Sequence, residues 1–302
     1  MITAHPRTFP AFRWAVGLNA AYVIVEGVAG WLTGSLALLA DAAHNLTDVA
    51  GLLVAWGAAV LAGRAVTARH SWGLGRATIL AALFNAIAIL VGVGAVTWEA
   101  VQRLSDPVAV PGLTVMLVAL IGIAVNTGSA LLFMSARKGD LNARGAFLHM
   151  AADAAVSGAV VLAAAGILLT GWDWLDPAVA IAVSLLIAVT AAGLLREALH
   201  LSLDGVPFQI DQPAVASWLL QQPGVESLHD LRIWPLSTTR TALAVHLVWD
   251  GPDPDAFIDQ VTHTLAAAHG ISDVTLQLER HACDRARGAG DAMPPTATIR
   301  HV

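Results

Sequence analysis

Leu38-Leu39-Ala40-Asp41-Ala42-Ala43-His44-Asn45-Leu46-Thr47-Asp48-Val49 places one imidazole and two carboxylates inside an otherwise apolar segment. At about 100° per residue, Asp41, His44 and Asp48 fall within about 60° of one helix face. Ionisable groups at membrane depth are costly and mark a function. The pattern returns further along the chain in Ala146-Phe147-Leu148-His149-Met150-Ala151-Ala152-Asp153, where His149 and Asp153 repeat the His-x-x-x-Asp spacing. Two helices that each offer one imidazole and one carboxylate can build a four-ligand divalent metal site.

The donor set His44, Asp48, His149 and Asp153 favours a tetrahedral d¹⁰ ion, zinc first and cadmium next. Iron(II), cobalt and manganese stay within reach, because geometry and availability set selectivity as much as affinity does. Two carboxylates balance the charge of the dication. An empty site with two buried anions attracts protons instead, and metal binding expels them. A free imidazole titrates near about 6.5, within reach of the pH on both sides of a membrane. The residues therefore point to exchange of protons for metal, with metal entering from the cytoplasm.

Composition sets the frame. The chain has 302 residues, 57% hydrophobic and 13% charged, against about 25% charged in a soluble domain. It reads as an integral membrane protein with a soluble part. The net charge of −6 gives no support for nucleic-acid binding. A single cysteine, Cys283, excludes an internal disulfide framework and a cysteine-based zinc knuckle.

Apolar segments near the roughly 20 residues that cross a bilayer run over Trp14–Leu32, Leu36–Ala62, Thr78–Val101, Leu113–Ala136, Phe147–Thr170 and Ala178–Leu199. The loop after the second carries Arg64, Arg69 and Arg76, and the loop after the fourth carries Arg137, Lys138 and Arg144. The remaining loops are neutral or acidic, and Gly171–Pro177 adds interfacial tryptophans. This alternation puts both termini in the cytoplasm.

After Pro207 the pattern changes. Asp211–Gln222 and Pro254–Ala268 have helical periodicity, with Gly270 as a stop; Val225–Leu236, Thr241–Trp249 and Val274–Leu278 read as strands. The order α-β-β-α-β predicts a small two-layer α+β domain. The expected organisation is a cytoplasmic N-terminus (1–12), six transmembrane helices (13–203), a cytoplasmic α+β domain (204–282) and a disordered tail (283–302). Gly73-Leu74-Gly75-Arg76 lacks the Lys-Ser/Thr ending of a nucleotide-binding loop, so an ATP-driven pump is not expected.

Other polar residues in the spans have supporting roles. Asp41 stands beside the four ligands or at the mouth of the site, Asn45 flanks them, and Glu26 is a candidate proton relay. Asn19, Asn85 and Asn126 are expected to make hydrogen bonds between helices.

Six spans with His44-x-x-x-Asp48 in the second and His149-x-x-x-Asp153 in the fifth resemble the cation diffusion facilitator family, above all its bacterial zinc and cadmium/cobalt/zinc efflux branch. Gly34–Asp41, Asp140–Ala146, Leu203–Pro207, Leu228–Trp234 and Val274–Glu279 add to the likeness. The resemblance implies a homodimeric zinc/proton antiporter in the bacterial inner membrane, a secondary transporter and not an enzyme. It implies that His44, Asp48, His149 and Asp153 hold the transported ion. It also implies a ferredoxin-like, metallochaperone-like tail that dimerises and binds regulatory zinc. His229 and His246 fall where relatives bind that zinc, with Glu279 as third ligand; His70 is a candidate peripheral ligand. Gln277 is a poor zinc ligand, which argues against a binuclear tail centre. Two rival readings are a membrane metalloenzyme, which no His-Glu-x-x-His segment supports, and a metal sensor whose tail carries the function.

Overall fold

The computed structural model describes residues 8–133 and 141–281; the side chains of 8–16, 47–53, 55–56, 59, 132–133 and 141–149 fall outside that description. Disorder expected after residue 282 concerns residues outside it as well.

Six long helices come first: α1 (Thr8–Thr33), α2 (Leu36–Ala62), α3 (Ala77–Ser105), α4 (Gly112–Phe133), α5 (Leu141–Thr170) and α6 (Leu175–Ser202). Among the described residues, Ala77–Ser105, Gly112–Leu131, Met150–Thr170 and Leu175–Ser202 are long and apolar enough to cross a membrane. Helices α1 and α2, of 26 and 27 residues, have the length of a span at about 1.5 Å per residue. The outward faces of α3, α5 and α6 are apolar, with Trp98, Leu162, Leu169, Leu185 and Val189 exposed. Such a surface is unstable in water and suited to lipid. The turn between α1 and α2 uses Gly34 at φ 70°, and Gly171 does the same after α5.

Two structural units emerge: one holds residues up to Val54 together with Phe84–Leu195, the other Ala55–Leu83 together with residues from Arg196 onward. In the first, small residues let helices approach. Ala37, Leu38, Val115, Val118, Ala119, Val160 and Ala164 form one apolar cluster. Leu36, Ala40, Val93, Ala100, Ala180, Val183 and Ile187 form another.

The second unit contains α7 (Gln212–Leu220), β1 (Val225–Pro235), β2 (Thr241–Trp249), α8 (Pro254–His269) and β3 (Asp273–Glu279). Both helices start at an aspartate cap, Asp211 and Asp253, whose carboxylates accept from Ala214 and Ala256 N–H. This is the expected α-β-β-α-β order, a ferredoxin-like β-α-β-β-α-β unit without its first strand. Strand β1 pairs antiparallel with β2, and β2 pairs parallel with β3. Val215, Leu219, Leu231, Ile233, Val245, Leu247, Val261 and Leu265 form the core between the helices and one sheet face.

The loop between α2 and α3 belongs to this second unit. Trp72 meets Trp234 edge-on with centroids 6.4 Å apart. Thr238 N–H donates to Thr78 Oγ1 at 3.0 Å, and Arg76 pairs with Asp204. Gly75 lies so close to the β1–β2 turn that a Cβ there would stand 2.5 Å from the Leu236 carbonyl oxygen.

Candidate metal centres

Helix α2 carries Asp41, His44 and Asn45, and α5 carries Asp153 and Ser157. His44 Nε2 lies 3.5 Å from Asp153 Oδ1; Asp153 is buried, while 21% of the His44 side chain is exposed, so the pair is open on the imidazole side. The side chains of Asp48 and His149 lie outside the described residues. Helix continuity places Asp48 one turn beyond His44 and His149 one turn before Asp153.

A chain of buried hydrogen bonds runs beside this pair. Ser157 Oγ donates to Asp41 Oδ2 at 2.9 Å. Asn45 Nδ2 reaches Asp41 Oδ1 at 3.4 Å and Glu26 Oε2 at 3.2 Å. The Tyr22 hydroxyl donates to Glu26 Oε1 at 2.7 Å. Tyr22, Glu26, Asp41, Asn45 and Ser157 are all buried. One carboxamide thus joins two carboxylates in a low-dielectric interior, where such networks are strong and a broken link is costly. Asn19 bridges helices as expected, with Nδ2 3.2 Å from Ser129 Oγ and 3.5 Å from Met150 Sδ. Asn126 does not: it is fully buried, and neither end of its carboxamide has a hydrogen-bond partner among the described residues.

The start of α2 is held from α6. Asp176 accepts from Leu36 N–H at 2.7 Å, from Ala37 N–H at 3.4 Å and from the Ser35 hydroxyl. Arg103 on α3 donates to the Gly34 carbonyl at 2.6 Å. A carboxylate on the orphan N–H groups of a helix start satisfies them and complements the helix dipole.

In the second unit, the sheet face opposite the helices gathers a separate cluster. Strict alternation along β1 would give His229 the parity of Leu231 and Ile233 and send it into the core. A register shift between His229 and Arg232, with Asp230 at φ 52°, reverses the parity. Leu228 packs on the core instead, and His229 pairs with His246 across the sheet. On β3, Val274, Leu276 and Leu278 take the core side, which leaves Gln277 and Glu279 beside the histidines. Glu279 lies 3.1 Å from His229 Nε2 and 2.9 Å from His246 Nδ1, and accepts from Gln277 Nε2 at 2.6 Å. Ligand atoms of His229, Asp230 and His246 lie within 4.8 Å of one another. His229 Nδ1 is buried and unpartnered. His70 sits apart, exposed in a turn where its N–H donates to Thr67 Oγ1 at 3.1 Å.

Residues 13–201 match the cation efflux transmembrane domain, and residues 207–281 match the cytoplasmic domain of cation efflux proteins. The chain belongs to the cation diffusion facilitator family. Among curated facilitators and their kin, it is 36% identical over 283 residues to the metal cation efflux system protein CzcD of Cupriavidus metallidurans, covering 92% of this chain and 89% of that protein. It is 37% identical over 273 residues to the zinc transporter ZitB of Escherichia coli K12, covering 89% and 87%. It is 34% identical over 267 residues to the cadmium, cobalt and zinc/H(+)-K(+) antiporter of Bacillus subtilis 168, covering 86% of each.

Four polar partners in this facilitator were not singled out by sequence reasoning. Tyr22 is the only tyrosine and precedes Glu26 by one turn; Ser157 follows Asp153 by one turn. Both spacings were visible as i, i+4 pairs. Asp176 stands just before Pro177, and Asp230 is contiguous with His229. Their geometry depends on a cap from a distant helix and on a bulge, which leave no local signature.

Proposed function

We propose that this protein exports divalent metal ions, zinc foremost, from the cytoplasm in exchange for protons, through a site built by His44, Asp48, His149 and Asp153. The observation that carries this reading is the 3.5 Å approach of His44 and Asp153 between two helices that each hold a His-x-x-x-Asp segment. Chemically, the imidazoles and carboxylates bind the dication once deprotonated and take protons once it leaves. Asp41 and Glu26, bridged by Asn45, form the pathway along which protons reach and leave the site. Cadmium, cobalt and the other ions named for the relatives are alternative cargo.

The tail is the regulatory part. His229, His246 and Glu279, joined by Asp230, fit zinc: two imidazoles and two carboxylates converge there, and the orphaned His229 Nδ1 is a lone pair or N–H with no other use. His70 is at most a peripheral ligand. The protein acts as a homodimer in the bacterial inner membrane, with both termini cytoplasmic. Its division falls into a transmembrane part to residue 203 and a tail domain from 204 to 282. It works as a secondary transporter rather than an enzyme.

The test is zinc flux in reconstituted vesicles under an imposed pH gradient, comparing wild type with Asp48→Ala and Asp153→Ala. Gradient-driven flux lost in both variants is the expected result. Flux indifferent to the gradient would remove proton coupling, and flux surviving both substitutions would remove the site.

A further inference from the structure

Helices α4 and α5 run antiparallel in a register that contacts fix layer by layer. Val115, Ala119, Val160 and Ala164 belong to one apolar cluster. A Cβ on Gly112 would stand 3.1 Å from Leu168 and 3.2 Å from the Ala164 carbonyl oxygen, and one on Gly122 would stand 3.0 Å from Ser157 Oγ. At the other end Asn19 touches both Ser129 and Met150, at 3.2 Å and 3.5 Å. Gly122, Asn126 and Ser129 follow at i, i+4 and i+7 on one face of α4. Ser157, Asp153 and Met150 follow with the same spacing, in the opposite chain direction, on α5. Gly122 stands at the level of Ser157 and Ser129 at the level of Met150. Interpolated by the same spacing, the layer between them is that of Asn126 on α4 and Asp153 on α5.

Asn126 is fully buried, and among the described residues neither its amide nitrogen nor its oxygen has a hydrogen-bond partner. Such a side chain is unfavourable as packing, and an apolar residue of the same volume would serve better. Its neighbours in the layers on either side are satisfied: Asn19 by Ser129 and Ser157 by Asp41. The unsatisfied group is confined to the layer of Asp153, which itself reaches His44.

We infer that Asn126 is a fifth residue of the cargo site, whose carboxamide turns to the metal ion or to a water the ion carries. The assignment rests on the transport-site reading and extends it. A carboxamide oxygen adds a donor without adding charge, so two carboxylates still balance the dication. Zinc completes a tetrahedron without it, whereas an ion such as Mn²⁺, which prefers more oxygen ligands, gains more from it. Asn126 therefore bears on selectivity as well as affinity.

The experiment uses the full-length protein, comparing Asn126→Leu, Asn126→Asp and Asp153→Ala. Zinc and manganese flux in proteoliposomes and melting of the metal-free protein in detergent are measured for each. Asn126→Leu should raise the KM for zinc by tenfold or more, the scale seen when groups supporting metal ligands are removed. It should depress manganese flux further. The metal-free melting temperature should stay level or rise, because no hydrogen bond is lost. Asn126→Asp, which keeps the oxygen in place, should hold the zinc KM within a few-fold of wild type. A leucine variant with wild-type KM, or one that melts well below wild type without metal, overturns the assignment and makes Asn126 a packing residue. Flux that survives Asp153→Ala overturns the underlying site instead, so the two failures are told apart.

Discussion

Replacing Asp176 by alanine should loosen the start of the helix that presents His44. The wild-type carboxylate accepts from Leu36 N–H at 2.7 Å and from the Ser35 hydroxyl, with a longer contact at 3.4 Å from Ala37 N–H. Two charge-assisted bonds at roughly 1.5–3 kcal/mol each give roughly 3–6 kcal/mol in gross terms. Relief of the buried carboxylate's own desolvation offsets part of this. The two donors left behind are themselves buried without partners, so a net loss of about 3 kcal/mol is expected. For a chain of this size that corresponds to roughly 6–12 °C in melting temperature. Asp176→Asn keeps an acceptor for Leu36 N–H but loses the charge that complements the helix dipole, and should fall about midway. Melting in detergent and zinc flux in vesicles, measured on the same preparations, check the order wild type, Asn, Ala. Wild-type melting and flux in Asp176→Ala would refute the reasoning, because the Ser35 hydroxyl, which accepts from Leu38 N–H at 3.2 Å, and Arg103, which donates to the Gly34 carbonyl, would then suffice to hold the start of α2.

Three further perturbations have defined outcomes. Gly75→Ala puts a methyl where the Leu236 carbonyl oxygen stands, 2.5 Å away; the loop must shift at a cost of about 1–3 kcal/mol, and hydrogen exchange at the Thr238 amide, which donates to Thr78, should speed up. Gly122→Ala collides with the Tyr22 hydroxyl and should lower flux by displacing it from Glu26. Combining it with Tyr22→Leu, which removes both the hydroxyl and the ring Cζ that would stand 2.6 Å away, should recover stability more than either single change predicts. Glu279→Gln withdraws the carboxylate shared by His229 and His246; isothermal titration should show one fewer zinc bound per chain, and unchanged stoichiometry would argue against the tail centre.

The helices were legible because the bilayer imposes a simple code: a run of about 20 apolar residues with punctuation at each end. Gly34 and Gly171 are such punctuation, each at positive φ, and Gly270 ends α8 of the tail in the same way. Strand β2 was equally plain, since Leu243, Val245, Leu247 and Trp249 recur at every second position and all join the core. Strand β1 was legible as a strand but not in its facing. Period-two alternation assigns His229 to the core, and only the bulge at Asp230 turns it out. A bulge needs no special residue type here, so sequence periodicity carries no warning of it. The hydrogen-bonding role expected of Asn126 failed for a related reason. An asparagine in an apolar span announces that it needs a partner, but which partner depends on the level at which two helices cross.

That level is what gives the membrane unit its chemistry. The seam of α1, α4 and α5 alternates satisfied and unsatisfied layers: Asn19 with Ser129 and Met150, then the layer to which the α4/α5 register assigns Asn126 and Asp153, then Tyr22 and Ser157 with Glu26 and Asp41. A proton or a metal ion moving along such a seam gains least in the layers whose donors and acceptors are already paired. It gains most where a carboxylate and an unpaired carboxamide stand together, because low dielectric magnifies both the need for a partner and the reward for finding one. On the proposed reading, the satisfied layers on either side resist deformation, so a change of charge at Asp153 would be met by movement of α2 and α5 rather than by local rearrangement of their neighbours. A transporter requires that property: a site whose occupancy is felt by whole helices. Here it follows from which polar groups the packing leaves without partners.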